Sequence, residues 1–345
     1  LIPLHIITPV YNGGGYIAET ARSVAAQLAA CDRYVVVDDG STDDTLARLA
    51  EACPEARVLR QANAGEAAAV NAGVREVTTS GPGDVGSAQA TAGRIIGIVN
   101  ADDPILPGLL AQVRAAFAAE PALDAVYPDW VKIDAHGRRI ATVHTREYDY
   151  AVMLGQHFCI PGPGAFFRLR AGFDEPVRDA RASLISDYDF WLRFGLHGAR
   201  VRRLPQVLAS WRLHAGGTTR RGQGPALARQ KIETIERLLA RADLPADVRA
   251  LSVQARSAAY YHAALVGLRA PDVPALGYAL RSFALKRSWG GGIDRSQRRA
   301  LGHLAYAAAQ PVSGLLHAAV SPLLPHAYRR QTVIDQMFGV EPPRQ

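Results

Sequence analysis

The chain reads as an α/β protein: a mostly parallel sheet flanked by helices, followed by a C-terminal α-helical region. Three observations predict this. The first hundred residues alternate short runs of branched apolar residues with stretches of helical spacing, and turn chemistry closes each run. The run Ile95-Ile96-Gly97-Ile98-Val99 has the composition of a strand buried on both faces. From about Gly224 the texture changes to Ala, Leu and Arg at helical spacing. Two units are expected: residues 1–219, built on the sheet, and 220–345, basic and helical.

Composition sets further bounds. An apolar fraction of 48% over 345 residues is ample for a sizeable core. No apolar run is long enough to cross a membrane, and no signal peptide is visible. The chain begins at Leu1 in a strand-like run, so a few preceding residues are expected to be missing. Cys31, Cys53 and Cys159 show no CxxC spacing, which argues against a zinc site and fits a reducing cytoplasm. Charge is uneven: residues 1–219 hold 21 Lys+Arg against 24 Asp+Glu, and residues 220–345 hold 18 against 8.

In order, Leu4 to Val10 is a strand and Tyr11-Asn12-Gly13-Gly14-Gly15 a turn. Ile17, Ala21, Val24 and Leu28 space a helix. Arg33 to Val37 is a second strand, closed by Asp38-Asp39, with Ser41 or Thr42 as the expected cap of the next helix. Val58 to Arg60 is a short strand before an Ala-rich helix over 66–77. Thr78 to Gly93 reads as a long surface loop. A helix over 109–119, a strand near 125–127 and a hairpin turning at His136-Gly137 follow. Ser186 opens a helix with an aromatic inner face, and Val207 to Leu213 is the last strand. Further helices are expected over 226–241, 247–268, 273–286 and 295–309.

The end of the Ile95 strand, which delivers Asp102-Asp103, is either a turn or a cation site. Adjacent carboxylates disfavour each other's ionised form unless a cation sits beside them. The carboxyl ends of strands in such sheets are also where ligands bind. Asp103 is the first choice of metal ligand, with Asp102 serving a ribose or the metal's surroundings.

The ordered motifs Thr8-Pro9-Val10-Tyr11-Asn12, Val37-Asp38-Asp39-Gly40-Ser41-Thr42-Asp43, Asn63-Ala64-Gly65, Asn71-Ala72-Gly73, Asn100-Ala101-Asp102-Asp103 and Ser186-Asp187-Tyr188-Asp189-Phe190-Trp191-Leu192-Arg193 resemble family 2 glycosyltransferases over residues 1–219. The resemblance implies a GT-A, Rossmann-like nucleotide-sugar-binding fold. It implies a nucleoside-diphosphate sugar donor, UDP first, and Mn²⁺ or Mg²⁺. It further implies inverting hexosyl transfer to a hydroxyl of a glycan or lipid-linked acceptor, in cell-surface polysaccharide synthesis. By the same resemblance Thr8, Pro9, Tyr11, Asp39, Gly65, Asn71 and Asp102 hold the donor, with Asp39 on the base. Asp187 is the general base, and His214 joins Asp103 at the metal. Asn100 stands where relatives often carry an acid, and Val70 where many carry an arginine. Phe166, Phe167, Tyr188 and Trp191 either stack on an acceptor sugar or pack the core.

Two other functions compete. A nucleotidyltransferase would need a basic glycine-rich first loop, and Gly13-Gly14-Gly15 carries no basic residue. A non-catalytic nucleotide-sugar-binding protein would not need Asp39, Asp103 and Asp187 together. The arginine-rich tail either solvates packed helices or contacts an anionic membrane from the cytoplasmic side, at the inner face of the plasma membrane. No nucleic-acid-binding module is present.

Overall fold

The computed structural model describes residues 1–79, 93–170, 173, 175–217, 224–267, 270 and 272–288. Eight strands form one sheet: β1 (Leu4–Val10), β2 (Arg33–Asp38), β3 (Arg57–Arg60), β4 (Ile95–Ile98), β5 (Ala125–Asp134), β6 (Arg139–Val143), β7 (Phe166–Arg168) and β8 (Val201–Leu213). The order is β3-β2-β1-β4-β7-β5-β6, with β8 on β5. The first four strands pair in parallel, as their helical crossovers require. β7 runs antiparallel to both β4 and β5, so the second half of the sheet is mixed.

Alternation along each strand builds two apolar layers. Ile7, Val35, Val37 and Ile96 face one side, and Leu4, Ile6, Val36 and Ile95 the other. Helix α1 (Ile17–Ala25), α2 (Thr45–Ala52) and α4 (Leu109–Ala119) border the second layer. In α1 the buried residues Ile17, Thr20, Ala21 and Val24 fall at helical spacing on one face. Helix α3 (Glu66–Thr79), α5 (Tyr150–Gly155) and α6 (Ser186–Gly195) border the first. After Gly224 come α7 (Gly224–Leu239), α8 (Ala246–Ala250), α9 (Ser252–Gly267) and α10 (Ala275–Ser288). Ile235, Leu238, Leu239, Val248, Ala255 and Ala259 from these helices share the layer that holds Ile7 and Ile96. The helical region is therefore part of the sheet's core along this face.

Several boundaries differ from expectation. The helix expected over 247–268 is broken at Leu251. Strand β8 begins six residues before Val207 because residues 201–204 pair with β5. Neither Ser41 nor Thr42 caps α2, whose N-cap is Asp44 with no side-chain bond. Both serve the first loop instead: the Asn12 N–H donates to Ser41 Oγ at 2.9 Å, and the Thr42 N–H donates to Asn12 Oδ1 at 2.8 Å. Most of the expected 78–93 loop and the whole 295–309 helix lie outside the described residues.

Candidate active site

A cleft of about 930 Å³ opens at the carboxyl ends of β1, β2 and β4. Its far wall comes from the 159–165 loop, the start of α6 and the end of β8. The long β5–β8 pairing carries Trp211, Arg212 and Leu213 there, opposite Lys132, Ile133 and Asp134.

Pro9, Tyr11, Asp39 and Gly65 line the cleft. Asp39 is buried and organises the loop after β3. Its Oδ1 accepts from Gln61 Nε2 at 2.7 Å and the Ala64 N–H at 2.9 Å; its Oδ2 accepts from the Gly65 N–H at 2.8 Å. Gly65 has φ +89°, a left-handed conformation that glycine adopts without strain. The first loop is tied to the second: Gly13 N–H donates to Thr45 Oγ1 at 2.9 Å and Gly14 N–H to Asp43 Oδ2 at 3.0 Å. A Cβ on Gly14 would collide with the Asp44 carboxylate, so this glycine makes room for an acid. A triphosphate cradle would need the opposite charge.

Two of the residues expected to hold the donor lie off the cleft lining. Thr8 is fully buried, and its hydroxyl accepts from Tyr34 Oη at 3.2 Å, away from the cleft lining. Asn71 also lies off the cleft lining. Its Nδ2 donates to the Arg178 carbonyl at 2.7 Å, and its Oδ1 accepts from the Arg178 N–H at 2.9 Å.

The two carboxylates after β4 part company. Asp102 Oδ2 lies 2.9 Å from His214 Nε2, with both side chains partly open. Asp103 is buried: Oδ1 accepts from the Arg212 N–H at 2.7 Å and Oδ2 from Asn100 Nδ2 at 3.0 Å. Burial and the charge of Asp102 push its carboxyl well above the usual range. Both carboxylates line the cleft; Asp103 already accepts two hydrogen bonds, and Asp102 is the more open of the two. Among the described residues no three His, Cys, Asp or Glu side chains gather as a complete cage. An oxygen and a nitrogen donor this close, on the cleft wall, nevertheless fit a divalent cation that keeps other positions for substrate.

Asp187 stands exposed in the first turn of α6, lining the cleft, its Oδ1 accepting from the Tyr188 N–H at 2.7 Å. Asp189 points away, paired with Arg193 at 2.8 Å and Arg237 at 3.8 Å. Lys231 of α7 is pushed down to about 8 by burial, against the opposing charge of Asp187. Core packing takes most of the aromatics: Phe166 and Tyr188 are buried off the cleft lining, and Phe167 and Trp191 join the Phe190 cluster.

Sequence reading missed four lining residues. Trp130 and Trp211 meet edge to face at 5.6 Å in the cleft wall, Trp130 buried; they sit on ordinary strands with no motif around them. Glu66 lies open to the cleft yet walled by protein. Desolvation raises its carboxyl, Asp187 and Asp102 add to this, and Arg178 opposes it. Its place directly after Gly65 was the one available signal. Arg178 lies outside every motif.

The family model for glycosyl transferase family 2 matches residues 5–177. The O-antigen biosynthesis protein RfbC of Myxococcus xanthus is 27% identical over 64% of this chain and 16% of its own length. Chondroitin synthase of Escherichia coli is 29% identical over 63% of this chain and 30% of its own. The chain thus spans less than a third of either relative. Among solved structures, S. aureus TarS 1–349 in complex with UDP-GlcNAc superposes with TM-score 0.54 at 18% identity, over 98% of this chain and 90% of that one. The same protein in complex with UDP gives 0.55. The fold is the expected GT-A arrangement. With half of its length matched by the family model, and with five of the six motifs contributing residues to one cleft, the chain belongs to glycosyl transferase family 2.

Proposed function

We propose that the chain transfers one sugar, with inversion, from a nucleoside-diphosphate donor to a hydroxyl of a glycan or lipid-linked acceptor during cell-surface polysaccharide synthesis. The observation that carries this is the set of groups gathered in one cleft: Pro9, Tyr11 and the Asp39–Gly65 loop, the Asp102–His214 pair, and the exposed Asp187. A nucleoside, its diphosphate and an attacked sugar require such a set. UDP is the favoured nucleotide, because a protein of this fold, TarS, binds UDP-GlcNAc and UDP.

Asp102 and His214 would hold Mn²⁺ or Mg²⁺, and the nitrogen donor favours Mn²⁺. Such a cation supplies Lewis-acid stabilisation of the charge on the leaving diphosphate. Asp187 takes the acceptor's proton as its hydroxyl oxygen attacks the anomeric carbon from the face opposite the diphosphate. The new C–O bond forms as the old one breaks, and the nucleoside diphosphate leaves. Trp130 and Trp211 provide an aromatic wall for an acceptor sugar.

The basic tail is proposed to touch the anionic inner face of the plasma membrane, which rests on its charge count. Among the described residues no helix is long and apolar enough to cross a membrane.

The test is incubation with UDP- and GDP-sugars, with and without Mn²⁺, in the presence of glycan acceptors. Metal-dependent release of nucleoside diphosphate, with a product of inverted anomeric configuration, is expected. No release from any donor would overturn the reading.

A further inference from the structure

Three arginines line the cleft: Arg146, Arg178 and Arg212. Arg212 is spent on structure, donating to the Asp102, Asp134 and Ala135 carbonyls and to Glu19. Arg146 is exposed at the rim. Arg178 differs from both. It is 9% exposed, and its Nε and Nη1 are sealed from solvent with no hydrogen-bond partner among the described residues.

Its position is fixed from behind. Asn71 grips both its N–H and its carbonyl, 107 residues away in sequence, and Val177 beside it is core. The guanidinium lies 5.8 Å from the centroid of the Phe190 ring, which offers only a weak attraction. Glu66 lies within its field but forms no ion pair with it among the described residues. Helix α3 carries the clamp but supplies no cation at Val70, which is fully buried.

A guanidinium keeps its charge at every accessible pH, so it cannot escape burial by losing a proton. Sealing its donors without partners destabilises the empty protein. A fold that holds such a group in a cleft presents a fork shaped for an oxyanion. We propose that Arg178 binds an oxyanion of the donor, either a phosphate oxygen of the diphosphate or the carboxylate of a uronic acid sugar. This rests on the nucleotide-sugar reading above.

Calorimetric titration of wild type and Arg178→Met with UDP, GDP, UDP-glucose and UDP-glucuronic acid, all with Mn²⁺, separates the cases. For the diphosphate, Arg178→Met weakens UDP and UDP-glucose binding by about tenfold or more. For the carboxylate, UDP affinity is kept and the preference for UDP-glucuronic acid over UDP-glucose is lost. In both cases the Tm of the free variant is unchanged or higher, which a structural arginine would not give. Should Arg178→Met fail to fold, or lose stability together with affinity, Arg178→Lys answers the same question. The lysine keeps the charge without the fork and is expected to bind the affected ligand more weakly than wild type. Affinities unchanged in the variants overturn the assignment. A wild-type protein that binds no nucleotide overturns the nucleotide-sugar reading, and the assignment with it.

Discussion

The Arg212 main-chain N–H donates to Oδ1 of Asp103 at 2.7 Å, joining the end of β8 to the turn after β4 across 109 residues. The Arg212 side chain completes the joint by donating to the Asp102 carbonyl at 2.8 Å and stacking 4.9 Å from the Tyr16 ring. Asp103 thus places the strand that delivers His214 beside Asp102.

This relationship divides the two carboxylates by experiment. Asp103→Ala leaves the Arg212 N–H buried without an acceptor and is expected to cost about 1–3 kcal/mol of stability. Asp103→Asn keeps an accepting oxygen and stays close to wild type in urea unfolding. Asp102→Asn is expected to fold normally and lose turnover. A dead but fully stable Asp103→Asn beside an active Asp102→Asn would return the metal to Asp103.

In the proposed metal site His214 would supply the nitrogen donor. His214→Ala is expected to raise the Mn²⁺ concentration for half-maximal turnover by about tenfold or more. His214→Gln substitutes an oxygen donor and should shift the activity ratio toward Mg²⁺. A metal titration identical in all three proteins would show that His214 only orients Asp102.

Asp187 and Asp189 should behave differently despite their spacing. Asp187→Asn is expected to keep donor affinity, measured by calorimetry, while turnover falls about 10²–10⁴-fold. Asp189→Asn breaks the buried pair with Arg193 and should lower the urea midpoint instead. Loss of donor binding in Asp187→Asn would make it a binding residue and leave the base unassigned.

Acid should loosen the helical side of the core. Burial lowers His262 to about 3 and His157 well below its usual value, and the two rings lie 5.2 Å apart beside Lys231. The unfolded chain takes up protons near pH 6.5 while the folded one resists. Stability from these groups is therefore full above pH 6.5 and is lost progressively as pH falls toward 3. Between pH 7 and 5, the fall in urea midpoint should be smaller in His262→Phe than in wild type. An equal fall in both would exclude His262 as a source.

The sequence alone determined the sheet and the general address of the site. Strand and helix periods depend on local side-chain order, so β1 to β4 and α1 to α4 fell close to where spacing put them. Turn chemistry at strand ends placed Pro9, Tyr11, Asp39, Gly65 and Asp102 on one edge, because a parallel sheet brings all its carboxyl ends together.

Tertiary structure decided how each polar group is used. That Asp103 is engaged by the Arg212 N–H while Asp102 stays more open depends on a residue that arrives 109 residues later. Thr8 and Asn71 sit in motifs yet serve Tyr34 and the Arg178 peptide, contacts that no local pattern encodes. Arg178 itself has no motif, and its burial without a partner exists only once α3, α6 and the segment before Asp187 have packed together. Local spacing is written residue by residue along the chain; desolvation and partner choice are set by groups that meet only after folding.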